Sequence, residues 1–309
     1  MRNRKLSVEL VGGLGNQLFC YFAGLAIASK LHVKVEFIHN KLKVTHPQYN
    51  SLLSDLLLPI PWAKSMNESS IRFLLRKKSG LVFYKIKCFG KIRDKVWGVY
   101  RENKLSINEE SLLIFSEFKK QKIRRRLNLV GHFQDLSYFF YIKDQISYGL
   151  FSPKNPSKEF FSSLKFTSLQ NFSLIHVRRT DFHNNRNTVG VLSEKYYTKA
   201  ISLLLRSDPN TQIIVVSDDM VEAKHVLPKK YHDQLNFLEN VLPDNPAELL
   251  VIMSKAKNFV ISNSTFSLWS ALIAENPGLV IYPKPFNIDT TIKIQNFPNS
   301  WLPVPSDFE

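Results

Sequence analysis

Between residues 172 and 284 the chain repeats one pattern, and that pattern restricts the fold more than any other feature in it. Short apolar runs alternate with amphipathic stretches: FSLIHVR, SEKYYTKAISLLL, TQIIVVSDD, MVEAKHVL, LNFLE, NPAELLVIMSKA, NFVIS, STFSLWSALIAE and GLVIYP. The short runs read as strands. The stretches between them carry apolar residues at helical spacing, with Ser193 and Pro246 standing at helix starts. Strands separated by helices form a parallel sheet covered on both faces, so the fold class is α/β. Ligands of such sheets bind at the carboxyl ends of the strands. There the chain concentrates its polar residues: His176 to Arg179, Ser217 to Asp219 and Ser262 to Thr265.

The amino-terminal half is less regular. Residues 6–38 read strand, helix, strand; residues 41–126 are broken by turn signals, with helix-like SIRFLLRKK and strand-like LVFYKIKCF between them. NLVGHFQ then reads as a strand and SYFFYIKDQISYGL as an apolar helix. The stretch FSPKNPSKEF carries prolines and serines between apolar runs and marks a boundary, giving domains 1–150 and 151–309.

A second constraint is VELVGGLGNQLFCYFAGLAIA, a strand that runs through glycines into an apolar helix. Glu36 follows about where a dinucleotide fold places its ribose-binding acid, roughly 20 residues on. The glycine spacing fails that reading, because a G-x-G-x-x-G frame starting at Gly13 meets Leu18 and one starting at Gly12 meets Leu14. Gly12, Gly13 and Gly15 are left as residues that form a tight turn or admit a ligand close to the backbone. Asn16 and Gln17 then stand at the helix start, either as ligand-binding amides or with Asn16 as a plain N-cap.

The chain of 309 residues carries a net charge of +16, and the excess is local: residues 64–126 hold 18 Lys and Arg against 6 Asp and Glu. Such a stretch faces an anionic membrane, an anionic substrate or solvent. It contains no zinc-finger or RNP-type pattern, so nucleic acid is not an expected partner. The sequence has no run of 18 or more uncharged apolar residues and no signal-peptide pattern. A cytoplasmic protein is expected, with peripheral contact at the inner face of the cytoplasmic membrane. Cys20 and Cys88 suggest neither a disulfide framework nor a metal site, and read as small hydrophobes.

HVRRTD, residues 176–181, sets two guanidiniums after a strand beside a histidine and a carboxylate. Arginine offers a planar fork of donors that matches phosphate oxygens; a structural Arg–Asp pair is the plainer alternative. Ser217 and Asp218 end the next strand, where Asp218 either accepts from a nucleobase edge or, like Asp219, caps the following helix. Ser262, Asn263, Ser264 and Thr265 open a helix, whose free N–H groups and dipole favour an anion. Capping alone needs only one of those four.

Taken in order, GGLGNQLFCY, GHFQDLSYF, HVRRTD, VSDD and SNSTFSLWSALIA resemble the motifs of glycosyltransferase family 11, the α-1,2-fucosyltransferases, over residues 11 to about 285. The resemblance implies a GT-B-like fold of two facing Rossmann-like α/β domains, with an acceptor-side domain followed by a GDP-fucose-binding one. It also implies inverting transfer of L-fucose from GDP-fucose to O2 of a terminal galactose on an oligosaccharide or lipid-linked surface glycan. Carried over to this sequence, Gly15, Asn16, Gln17, Arg178, Arg179, Asn263, Ser264 and Thr265 match donor-binding motifs, and Ser217 and Asp218 stand beside them. Arg178 is the expected diphosphate ligand, and Asp181 and His176 are each either the base or a group that orients the arginines. The sequence has no D-x-D motif, so no metal and no cofactor beyond the donor is expected. His132, Leu268 and Ser270 depart from common family residues, which leaves acceptor preference open. The rival readings are a fucosyltransferase of another linkage, a nicotinamide oxidoreductase and a nucleic-acid-binding protein.

Overall fold

A computed structural model describes residues 5–39, 52–61, 99–102, 110, 114, 126–168, 171–237, 243–289 and 294–309. SIRFLLRKK, LVFYKIKCF, Cys88 and most of the basic stretch 64–126 lie outside the described residues. The chain forms two compact units. One comprises Met1–Gly12, Phe19–Ser51 and Pro59–Gln145; the other comprises Gly13–Leu18, Leu52–Leu58 and Ile146–Glu309.

In the first unit, strands β1 (Lys5–Leu10), β2 (Lys34–His39), β3 (Val99–Arg101) and β4 (Arg126–Val130) form a parallel sheet in the order β2-β1-β4-β3. After β1, Gly12 turns the chain with φ of 67°, a conformation that favours glycine, and helix α1 (Leu14–Leu31) begins. The N–H of Gln17 donates to the Gly13 carbonyl at 3.0 Å. Gly13 therefore stands at the cap, and Asn16 lies in the first turn rather than capping it. Glu36 sits within β2, accepting from the Ser7 hydroxyl at 2.7 Å with Lys5 at 3.7 Å. It is a structural carboxylate. Cys20 is fully buried in α1, and that burial pushes its thiol up to about 12.

The second unit is a parallel sheet of strands β5 (Phe172–Val177), β6 (Gln212–Ser217), β7 (Leu235–Phe237), β8 (Asn258–Val260), β9 (Val280–Lys284) and β10 (Leu302–Pro305). Their order is β10-β9-β8-β5-β6-β7. The chain lays β6 and β7 on one side of β5, then returns to lay β8, β9 and β10 on the other. The strand order thus reverses between β5 and β8, and the crevice at such a reversal is where open α/β sheets bind ligands. Helix α5 (Glu194–Ser207) shows why the crossovers close: Tyr196, Tyr197, Ala200, Ile201 and Leu204 form one buried stripe against Ile175, Val177 and Val215. Each large side chain in it contributes about 1.5–3 kcal/mol by burial. Ser193 and Asn245 cap their helices with side-chain oxygens, and Pro246 opens α7 (Pro246–Met253).

Both sheets are thus Rossmann-like and parallel, and the fold is α/β. Three features depart from the sequence reading. SYFFYIKDQISYGL is not one helix: α2 (Ser137–Ile142) is followed by short 3-10 turns. FSPKNPSKEF, at which the sequence reading divides the chain, belongs to the second unit, where Phe151 is buried and Glu248 accepts from the Ser157 N–H at 2.7 Å and hydroxyl at 2.6 Å. Those bonds seat the start of helix α3 (Lys158–Ser168), which the sequence reading does not contain. Strand β10 is unexpected too; Pro303 and Pro305 are tolerated there because an edge strand has no second neighbour to bond.

Candidate functional site

Three connections meet where the strand order reverses. Strand β5 is buried along its whole length, which carries His176 into the interior, where its Nδ1 lies 2.8 Å from the Ser262 hydroxyl. Burial foremost, and then the Arg178 charge, pushes the imidazole down to about 3 against the opposing pull of Asp218. His176 is therefore a neutral tie between the ends of β5 and β8. This corrects the reading of it as a base, since the ring is 3% exposed and already bonded. Because the folded form resists a proton that the unfolded chain takes up near pH 6.5, stability falls as pH drops from there toward 3. The expected result is a melting temperature that declines over that window, and a shallower decline in His176→Asn.

The two arginines have different fates. The Arg178 Nε donates to Asp181 Oδ1 at 2.8 Å and lies 3.2 Å from Asp218 Oδ2, with its side chain 26% exposed. Arg179 is 1% exposed; its guanidinium donates to the Leu192 carbonyl and to Glu309 Oε1, both at 2.8 Å. Of the two guanidiniums expected at the donor, Arg178, the expected diphosphate ligand, is the partly exposed one, and Arg179 is a buried pin. Asp218 is likewise committed. It accepts from the N–H groups of Arg179 and Thr180 and from the Thr180 hydroxyl. Burial alone would raise its carboxyl, yet Arg178 and those donors hold it below the usual carboxylate range. Asp218 thus organises the HVRRTD turn instead of reading a nucleobase. Ser217 bonds backbone groups of Asp219, and Asp219 caps α6 (Met220–Val226). Asp181 opens the short helix α4 (Thr180–Asn184), with its side chain 43% exposed.

Each of the four polar residues that lead into α8 (Thr265–Leu272), its own first residue included, meets a different part of the protein. Ser262 holds His176, Ser264 caps the helix by accepting from the Phe266 N–H, and the Asn263 amide donates to the carbonyls of Val189 and Gly190 at 2.8 and 3.0 Å. The Asn263 Oδ1 is buried and has no hydrogen-bond partner. Thr265 meets Gly15: a Cβ on that glycine would stand 2.6 Å from the Thr265 carbonyl carbon and Oγ1, and 2.8 Å from the Phe266 nitrogen. The first turns of α1 and α8 are therefore in direct contact, which brings two positive helix ends together. Gln17 is 1% exposed, and its Oε1 accepts from the Leu53 N–H at 3.1 Å. Its amide shapes the loop instead of facing a ligand, whereas Asn16 is half-buried beside Gly15.

The site thus joins Arg178, Asp181 and Asp218 to the Gly15–Thr265 contact through His176 and Ser262. Sequence reasoning missed Thr180, Glu309 and residues 189–192. Thr180 lies inside HVRRTD but was given no role there, and the others carried no motif signal.

Among known proteins, the family model for Glycosyl transferase family 11 matches residues 5–304. The chain is 25% identical to an alpha-1,2-colitosyltransferase of Escherichia coli, over 95% of this chain and 97% of that protein. It is 27% identical to the O-antigen biosynthesis glycosyltransferase WbnK of Escherichia coli, over 85% of this chain and 88% of that protein. Among solved structures it is similar to a mutant of Arabidopsis thaliana FUT1 in complex with GDP, at a TM-score of 0.49 and 9% identity, over 96% of this chain and 76% of that one. With the family model covering residues 5–304, nearly the whole chain, the protein belongs to glycosyltransferase family 11 and is a glycosyltransferase.

Proposed function

We propose that the protein is an inverting fucosyltransferase that moves L-fucose from GDP-fucose to O2 of a terminal galactose on an oligosaccharide or lipid-linked surface glycan. One observation carries the reading: a partly exposed arginine, held by two carboxylates, stands at the same strand reversal as two abutting helix N-termini. A guanidinium beside helix N–H groups supplies the hydrogen-bond donors that a departing nucleoside diphosphate requires. In a single displacement the acceptor O2 attacks fucose C1 as the bond to the β-phosphate oxygen breaks, and the negative charge collects on GDP. Arg178 and the helix ends at Gly15 and Thr265 neutralise it. Asp181, the more exposed carboxylate of the cluster, takes the acceptor proton in this reading, and His176 takes no part in proton transfer.

Fixed positive charge of this kind replaces what a divalent ion would supply, so no metal is needed. The expected result is transfer from GDP-fucose to β-galactosides that EDTA changes by less than about twofold, with an α-1,2 product by NMR; a requirement for Mg²⁺ or Mn²⁺ would sink the electrostatic account. A second donor is favoured by the relative named for colitose, a sugar that differs from L-fucose in lacking O3. Running both GDP-sugars side by side assigns the donor to whichever has the larger kcat/KM.

We further propose a cytoplasmic protein that meets anionic membrane through the basic stretch 64–126. Among the described residues no helix is long and apolar enough to cross a membrane. Replacing Arg124, Arg125 and Arg126 together is expected to release the protein from phosphatidylserine vesicles, and unchanged partitioning would count against the contact.

A further inference from the structure

Two side chains from separate motifs, Arg179 and Asn263, converge on one loop. Arg179 donates to the carbonyl of Leu192, and Asn263 donates to the carbonyls of Val189 and Gly190. The other side of that loop is clamped by the segment after β10. Ser193 N–H donates to the Asp307 carbonyl at 2.7 Å, the Ser193 hydroxyl donates to Asp307 Oδ2 at 2.6 Å, and the Glu309 N–H donates to the Val191 carbonyl at 2.8 Å. Leu192 and Phe308 form an antiparallel bridge. The Phe308 ring fills the space beside Gly190, where an added Cβ would meet it at 2.5 Å. The clamp ends at the Glu309 carboxylate on Arg179.

Arg179 is therefore fixed twice. Its N–H is held by Asp218 at 2.8 Å, and its guanidinium is held by Glu309 and the loop. The residue before it is Arg178. A buried guanidinium whose counter-ion is lost either draws in water or moves, and either response shifts the turn that carries Arg178.

We infer that residues 307–309 are a positioning strap for Arg178, acting through the Glu309–Arg179 ion pair and the Phe308 seat at Gly190. The inference rests on the proposed donor reading only for what Arg178 binds. Glu309 is a positioning residue, about half-exposed, and touches no substrate.

Glu309→Gln and Phe308→Ala are the variants of choice: Glu309 is about half-exposed, and Phe308, partly buried against the core of the second unit, fills the seat at Gly190. Amide hydrogen exchange of residues 178–184 reports the turn, whose Phe182 and His183 N–H groups donate to the Arg179 carbonyl. In both variants exchange there is expected to quicken about tenfold while β5 and β6 keep wild-type protection. Affinity for GDP is expected to fall five- to tenfold by calorimetry, and Glu309→Asp is expected to recover part of both effects. Wild-type exchange at 178–184 in both variants would overturn the strap, as would faster exchange with unchanged GDP affinity. Faster exchange in a protein whose wild type binds no GDP would uphold the strap and remove the donor reading.

Discussion

Arg178→Ala is expected to lower kcat/KM for GDP-fucose by about 10²–10³-fold, the range measured when one preorganised donor to developing negative charge is removed. Stability should barely change. Asp181 is 43% exposed and Arg178 26% exposed, and ion pairs of such exposure contribute at most about 1 kcal/mol. Removing Arg178 leaves Asp218, 17% exposed, without its cation, but the N–H groups of Arg179 and Thr180 still satisfy that carboxylate. Arg178→Lys separates charge from geometry. The lysine keeps the charge but lacks the in-plane Nε–H that Asp181 accepts from, and a point charge does not reproduce a planar fork. Recovery of less than tenfold over the alanine variant is therefore expected, with the deficit in GDP affinity as well as in turnover. Full activity in Arg178→Ala, measured as GDP release with product analysis, would remove the residue from the mechanism.

The resemblance favours Arg178 over its neighbour, but the residue pattern alone does not, and the reason is physical. At the end of a half-buried strand, inward and outward positions alternate and the pattern sorts two adjacent arginines. Here β5 is buried on both faces from Phe172 to Val177, so there is no alternation to extend past its end. What separates the two arginines is Glu309, brought in by the strand β10 that prolines 303 and 305 disguise. The polar group before α8 was misjudged differently. Four small polar residues there looked like more than a cap requires, yet Ser262, Asn263, Ser264 and Thr265 each meet a different part of the protein. Their number reflects the crowding of connections at a strand reversal and does not count phosphate contacts. By contrast, the reversal itself was legible. Alternating strands and helices fix parallel pairing, parallel pairing puts the ends of β5, β6 and β8 on one edge, and the polar clusters lie at those ends.

The contact between Gly15 and Thr265 was not legible at all, and it supports the other large expectation. On helix propensity alone, Gly15→Ala should stabilise α1 by roughly 1 kcal/mol. The packing predicts the reverse. The new Cβ would stand 2.6 Å from the Thr265 carbonyl carbon and 2.8 Å from the Phe266 nitrogen, and backbone cannot swing aside as a side-chain tip can. Thr265 is also held from behind, because Ser264 caps the helix and Ser262 is bonded to His176. The helix ends must separate, which costs about 1–3 kcal/mol as overpacking does. A shift approaching 1 Å at a charge-stabilising site costs on the order of 10²-fold in rate. Gly24→Ala in the same helix is the control: its Cβ would meet the Phe37 ring edge and the Val8 Cγ2 at 2.9 Å, both side-chain atoms, in the first unit. That variant is expected to lose some stability but keep GDP affinity, whereas Gly15→Ala loses both. If Gly15→Ala bound GDP and melted like wild type, the two helix ends would not be packed against each other, and the electrostatic argument for a diphosphate there would rest on Arg178 alone.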